Sequence, residues 1–402
     1  MRSAKLSLVL RHLRDHGPRS RARLAAELDL PRSAVSALVG DLEELGLVRR
    51  AGIERGNLGR PGTAVELDGS TVCGIGAEIN VNHIATIALD LAGDVVAEHR
   101  VALDAHRLTA PEVLDRLAAL VTQTEADVRV TGHQVAGCVV GVAGLLDRTH
   151  EVLTVGPNLR WKDVPVGAEL RGRLGAGHRV AIENEGNLAA IAEAVPGDPT
   201  RQDILVIFGE VGVGGGIVAD GRLLRGHQGY AGEFGHMIVE PGGRRCGCGR
   251  IGCWETVAGL RALLDAAADP DDPVRDPALS LDERLGEINR RAELGDVRTL
   301  DALDQVGNAI GTGVAMLTNA LNPAAIVLSG YFAVIGHHLQ PTIEEHLVSG
   351  VLAPQAGGTR VEFSTLGFTA AVRGGATVAL QPVFDDPTVV APRSDALVGG
   401  TR

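Results

Sequence analysis

Lysine is almost missing from this chain. Lys5 and Lys162 are the only two in 402 residues, and arginine supplies the rest of the 38 basic side chains. That bias reads as coding-sequence composition, not function. Aromatics are scarce too, with six Phe, two Trp and two Tyr, so the cores must be built from Ala, Val, Leu and Ile. Long apolar runs are lacking. The longest, Val135 to Leu146, is short and glycine-broken, so nothing in it spans a membrane. The start, MRSAKLSLVLRHLRDHG, has charges at helical spacing and no small-residue cleavage site. It does not read as a signal peptide, and the expected location is the cytoplasm. Five cysteines in a large cytosolic chain argue against a disulfide framework. What remains is ordinary globular composition, 45% apolar and 22% charged, long enough for two or three domains with real cores. The 53 glycines show no collagen-like period and favour many tight turns.

Charge is unevenly placed. Residues 1–64 hold 12 Arg/Lys against 7 Asp/Glu, while the whole chain carries −12. A small basic head on an acidic body suggests that only the head approaches a polyanion. In the head, Leu6, Val9, Leu10 and Leu13 recur at helical spacing, and Gly17-Pro18 ends that helix. Ser20 can cap a second helix carrying Leu24, Ala25 and Leu28, and Ser33 a third carrying Val35, Leu38, Val39, Leu42 and Leu45. LVRRAGIERGNLGRPGTAVEL then reads as strand, glycine-rich loop, strand. Three short helices and a β-hairpin make the winged helix-turn-helix pattern.

The body alternates strands and helices and is α/β. Apolar strands follow from Val72. Val113–Val121 reads as a helix, and Val135–Val142, Val180–Ile182 and Ile204–Phe208 as buried strands. Residues 266–300 are polar and Pro/Asp-rich, a helical insertion bounded by loops. Gly307–Leu321 is a long apolar helix ending at Asn322-Pro323, and the tail after Phe384 reads as disordered.

The strongest local signal is GHMIVEPGGRRCGCGRIGCWET. His236, Cys246, Cys248 and Cys253 supply one imidazole and three thiols, the ligand set of a closed tetrahedral structural zinc site. The bland alternative is three buried, inert cysteines, and a redox C-x-C is a further one.

With its glycine-rich signature Gly212-Val-Gly-Gly-Gly-Ile217, then Gly226, Gly232, Gly235 and His236, the sequence resembles the ROK family of repressors, open reading frames and sugar kinases. Gly209 departs from the family pattern, which has an aliphatic residue there. The LNPAAIVLSG segment, Leu321–Gly330, also matches. The resemblance implies an actin-like body of two α/β lobes around a cleft, preceded by the winged helix-turn-helix. The domains implied are 1–68 for the head, 69–192 for the first lobe, 193–382 for the second lobe with a C-terminal helix returning to the first, and 383–402 for a disordered tail. It also implies sugar-hydroxyl ligands at Asn158, Asn184, Glu233, His236 and Glu255, with His236 serving sugar and zinc together. Glu185, in the place of the kinases' catalytic aspartate, is counted as a sixth sugar-binding residue. A ring of sugar hydroxyls both donates and accepts, and carboxylates with an amide and an imidazole satisfy it.

Two phosphate loops decide between kinase and sensor. In Gly74-Ile75-Gly76-Ala77-Glu78-Ile79-Asn80 the kinase aspartate is read as Gly76, the two glycines as Glu78 and Ile79, and the threonine as Asn80. In the second loop Gly-Thr-Gly has become Glu210-Val211-Gly212. Carboxylates there repel polyphosphate, and Glu185 is one methylene too long for good base geometry. ATP binding is therefore expected to be abolished and no residue is read as catalytic. The glycine run VGVGGGIV, Val211–Val218, alone is weak evidence for nucleotide, and reads as a turn after a central strand.

On the DNA side, Arg32, Ser33 and Ser36 of the third helix are expected to face a major groove, with Arg19 and Arg21 on phosphates. Arg60, extended between Gly59 and Pro61, suits a narrow minor groove. The chain thus reads as a cytoplasmic, sugar-responsive transcriptional repressor, a homodimer or homotetramer on a palindromic DNA operator and on the nucleoid when bound. A sugar kinase with an appended head and a regulator whose body binds a protein are the rivals.

Overall fold

The computed structural model describes residues 2–54, 62–175, 177–276, 279–352 and 358–391. The head opens with α1 (Arg2–His16), whose Leu6, Val9, Leu10 and Leu13 are buried, and stops at Gly17 with φ 74°. After β1 (Arg19–Ser20), the Ser20 hydroxyl accepts from the Arg23 amide and caps α2 (Arg21–Glu27). The next helix, α3 (Arg32–Glu44), differs from the sequence expectation: Pro31 is its N-cap, and Ser33 lies inside the first turn with no capping bond. Proline pre-sets the chain there, so the serine side chain is released to the surface. Strands β2 (Val48–Glu54) and β3 (Gly62–Leu67) form the wing hairpin, with β1 added beside β3. Arg60 lies outside the described residues.

The first lobe has a five-stranded sheet ordered β11-β7-β4-β5-β6. Its strands are β4 (Val72–Ile79), β5 (His83–Asp90), β6 (Val95–Ala102), β7 (Gln134–Val142) and β11 (Val180–Asn184). Helix α4 (Ala110–Val130), opened by a Thr109/Glu112 capping box, and α5 (Val166–Leu174) cover one face. Between them β8 (Leu145–Leu146), β9 (Leu153–Gly156) and β10 (Trp161–Val164) make a small antiparallel sheet. The second lobe repeats the plan. Its sheet, β14-β13-β12-β15-β16, comprises β12 (Ile204–Gly209), β13 (Val213–Ala219), β14 (Arg222–Leu223), β15 (Ala325–Gly330) and β16 (Arg360–Phe363). In each sheet a three-stranded antiparallel meander is followed by two parallel strands. Helices α7 (Glu255–Ala258), α8 (Leu260–Ala267), α9 (Leu281–Glu293), α10 (Val297–Leu321), α11 (Tyr331–Val334) and α12 (Gly336–Gly350) pack on the second lobe. Asn322, left-handed at φ 44°, ends α10.

Two helices tie the parts together. α6 (Glu185–Glu193) leaves β11 of the first lobe and lies against β13 of the second. Contact is close because both sides are glycine: a Cβ on Gly186 would lie 2.5 Å from the Gly215 carbonyl, and one on Gly216 2.7 Å from that of Gly186. The glycine run therefore lies within a strand and works by close approach, where the sequence reading had a turn. The last helix, α13 (Ala370–Asp385), packs on β4 and α6 in the same way. A Cβ at Gly76 would stand 1.7 Å from the Val372 carbonyl, and one at Gly374 1.9 Å from that of Leu188.

The tail also departs from expectation. Residues past Phe384 are ordered through a 3₁₀ turn at Pro387–Val389, and Val390 is buried; positions 392–402 lie outside the described residues. Leu380, Val383, Phe384 and Val390 join Leu6, Val9, Leu10 and Leu13 in one apolar cluster, so the core of the head is continuous with the body. The Arg14 guanidinium sits 4.9 Å from the centre of the Phe384 ring, Ser3 donates to Asp386, and Arg11 pairs with Asp385. Truncating this anchor tests the arrangement. Phe384→Ala is expected to cost about 3 kcal/mol or more, as large-to-small changes at buried aromatics do. Urea unfolding would measure the loss, and limited trypsin digestion should cut the arginine-rich head before the body. Unchanged stability with unchanged digestion would contradict the shared core.

Candidate functional site

The cleft between the lobes holds a cavity of about 520 Å³ lined by all six residues read as sugar ligands: Asn158, Asn184, Glu185, Glu233, His236 and Glu255. Each is positioned by a chain turn. Asn184 caps α6, its Oδ1 accepting from the Asn187 amide at 3.1 Å while its Nδ2 donates to the Gly144 carbonyl. Its amide is thereby fixed at the cavity wall. Glu185 is the first residue of α6. Glu233 and His236 flank a 3₁₀ turn, and Glu255 begins α7 directly after Cys253 and Trp254. Gly212 leaves room for two of these side chains, since a Cβ there would lie 2.4 Å from Glu255 Oε2 and 3.1 Å from Asn158 Nδ2. Burial lifts the pKa of Glu233, with His236 opposing and Glu255 adding to the rise. Tyr230 and Arg250, which the sequence did not single out, also line the cavity.

His236 stands between cavity and cysteines. Its Nε2 lies 3.8 Å from Glu233, and its Nδ1 is 3.6 Å from Cys246 Sγ. Cys248 Sγ and Cys253 Sγ are also 3.6 Å apart, and donor atoms of all four residues lie within 4.8 Å of one another. A tetrahedral ion with bonds of about 2.3 Å to sulfur sets its donors about 3.8 Å apart, so the four fit one metal. No disulfide competes, because all five cysteines are free. Cys246 Sγ lies 2.7 Å from Glu255 Oε1, which joins the metal loop to a cavity carboxylate.

At the inner end of the cleft the structure revises the phosphate-loop reading. Gly76 is buried under α13 within β4, away from the cavity, and Glu78 is the residue that meets Glu185 and Glu210. The loop thus keeps a carboxylate where its loss was expected. The β4–β5 turn falls after Ile79, which places the cleft-facing position two residues beyond the sequence reading. Asn80 Nδ2 donates to Glu210 Oε2 across the lobes at 2.5 Å and approaches Glu78 at 3.3 Å. His83 and Arg100 stand behind, 3.7 and 3.9 Å from Glu210. Burial raises the pKa of Glu78 and of Glu210, and for Glu210 the charge of Glu78 adds to it. Glu185 is raised well above the usual carboxylate range, first by burial and then by Glu78, Glu210 and Glu233. Burial and Arg100 push His83 down to about 3, so it stays neutral. Sequence reasoning met Glu78 and Glu210 only as defects of a nucleotide site. Their meeting depends on the lobes closing.

On the head, Arg32, Ser33 and Ser36 are exposed along one face of α3, while Val35, Leu38 and Val39 on the other side are buried. Arg19 and Arg21 are already engaged. Arg19 pairs with Glu27 at 3.1 Å, and Arg21 with Glu43 at 3.0 Å.

Against known proteins, the profile of the ROK family matches residues 74–382, and that of the MarR family matches residues 7–56. The xylose repressor of Bacillus subtilis is 27% identical over 383 residues, covering 94% of this chain and 95% of that one. A glucokinase of Halalkalibacterium halodurans is 32% identical over 299 residues, 68% of this chain and 90% of its own. The crystal structure of a ROK family transcriptional regulator, a homologue of the E. coli MLC protein, superposes with a TM-score of 0.75 at 23% identity, covering 96% of this chain and 97% of that one. The architecture is the expected actin-like two-lobed body with an N-terminal helix-turn-helix head. Cys248→Ser removes one of the four donors, and a bound thiophilic ion should fall from about one per chain to well below it. Elemental mass spectrometry measures this. Wild-type chain free of metal, with three freely titrating thiols in the native state, would refute the site.

Proposed function

We propose a regulatory role without catalysis for this chain, which belongs to the ROK family: a repressor that binds DNA and responds to a sugar. The observation that carries the reading is the continuity between cavity and head. α6 starts at the cavity with Glu185, and the loop that follows it abuts the end of α1 so closely that a Cβ on Gly197 would stand 1.8 Å from the Asp15 carbonyl. Any rotation of α6 on sugar binding is delivered to the first helix of the head. A ligand changes operator affinity only if it binds two arrangements unequally, and the lobes around this seam supply those arrangements.

The cavity favours a neutral sugar. Glu185, Glu210, Glu233 and Glu255 line it against one arginine, Arg250, so the cavity offers little positive charge to a sugar phosphate. The same scarcity of cations disfavours polyphosphate, which supports a sensor over a kinase. Asn158, Asn184, Glu233, His236 and Glu255 are read as hydroxyl ligands, and Glu185 as a further one without a role as base. Zinc is the metal proposed for His236, Cys246, Cys248 and Cys253. Such a closed set confers rigidity on the loop and leaves no coordination position for water. On DNA, Arg32, Ser33 and Ser36 would read the major groove, with Arg19 and Arg21 exchanging their carboxylate partners for phosphates. A dimer on a palindromic operator in the cytoplasm is the form in which the spacing of two heads becomes the signal. Among the described residues no helix is long and apolar enough to cross a membrane.

The test is an operator titration by fluorescence anisotropy at fixed salt, with DNA selected from a random library and a panel led by xylose and glucose. Sugar is expected to weaken operator binding by about 5- to 150-fold, the usual span of coupling energies. Glu233→Gln should abolish that response and leave sugar-free DNA affinity unchanged. Arg32→Ala should do the reverse. Superimposable operator curves across the panel would overturn the sensor reading. ATP-dependent phosphorylation of a hexose, lost in Glu185→Gln, would restore the kinase.

A further inference from the structure

Building on the sugar reading of the cavity, we infer that its ligand is a disaccharide. One ring lies among the polar groups at the inner end, and a second, uncharged ring stacks on Tyr230 at the mouth. The cavity of about 520 Å³ has room for both. Pockets of about 300–1,000 Å³ enclose drug-sized ligands, and one pyranose, with about a dozen non-hydrogen atoms, is roughly half that size.

Exposure and chemistry divide the wall in the same way. Asn80 and Glu210 are each 4% exposed, and the residues read as hydroxyl ligands are partly buried. Of the residues that line the cavity, Val155, Tyr230 and Arg250 alone are exposed, and they mark its mouth. Leu145, Pro157 and Met237, partly buried, add further apolar wall. The inner end thus offers groups that bind hydroxyls, while the mouth offers apolar and aromatic surface with one guanidinium. Such a mouth suits a ring recognised by its flat C–H face.

Tyr230 is the second observation. The chain has ten Phe, Trp and Tyr side chains, all within the described residues, and Tyr230 is the one that stands exposed, at 41%. Trp254, Tyr331, Phe208 and Phe332 are fully buried in the cores. A chain so short of aromatics leaves a single ring in solvent, and that ring lines the cleft. The apolar face of a pyranose packs on it, and the hydroxyls at the edge of that sugar ring accept from Arg250. Leu145 and Val155 lie on β8 and β9 of the first lobe, whereas Tyr230 and Met237 belong to the second. A second sugar ring therefore touches both lobes, as the first does.

Isothermal titration calorimetry of the zinc-loaded full chain with xylose, xylobiose, glucose, cellobiose and maltose tests this. At least one disaccharide should bind tenfold or more tighter than its monosaccharide. Tyr230→Ala, a change at an exposed position, should remove that advantage, and Tyr230→Phe should keep it. Glu233→Gln should weaken the disaccharide and the monosaccharide alike. Monosaccharides binding as tightly as their disaccharides would overturn the second ring and leave the sugar reading standing. A disaccharide advantage that survives Tyr230→Ala would overturn the stacking site. Binding of none of the five would sink both readings together.

Discussion

The close seat of α13 on β4 is the constraint from which the rest of this molecule follows. Glycine at 74 and 76 on the strand, and at 375 on the helix, lets the two backbones come into direct contact. Backbones at that separation cannot slide without overlap, so helix and sheet form one rigid unit. The same helix touches α6 through Gly374 and gives its far end to the head. Cleft, seam and DNA-reading surface therefore share one structural member.

That sharing separates two kinds of seam. Across the lobes, contact is made by glycine against glycine and by polar pairs such as Arg225 with Glu183 at 2.9 Å. Such contacts bury little apolar surface, so little hydrophobic stabilisation is lost when this seam shifts. Between α13 and the head the contact is apolar, built from Leu380, Val383, Phe384 and Val390 against Leu10 and Leu13. Apolar burial is lost when such surfaces part, so this joint travels with whatever moves the helix.

Legibility from sequence followed distance along the chain. The head's helices were readable because Leu6, Val9, Leu10 and Leu13 repeat locally, and the Ser20 cap lies within one turn of the amide it serves. His236 and the three cysteines were readable for the same reason, eighteen positions holding all four donors. The carboxylate cluster was not, since Glu78 and Glu210 come from different lobes and meet only in the fold. The register of the first phosphate loop went astray because composition does not reveal where β4 turns; the pairing of Ile79 with Ile84 does. Val390 misled for a third reason: nothing near it is periodic, and its burial depends on a surface made at the other end of the chain.

That last pairing has a consequence for synthesis. The head leaves the ribosome before the body, and domains ordinarily fold in that order. Here part of the cover of α1 comes from residues 380–390, made long after it. Until they arrive, Leu6, Val9, Leu10 and Leu13 lack part of their cover. A chain broken off before residue 380 thus leaves α1 without this part of its apolar cover.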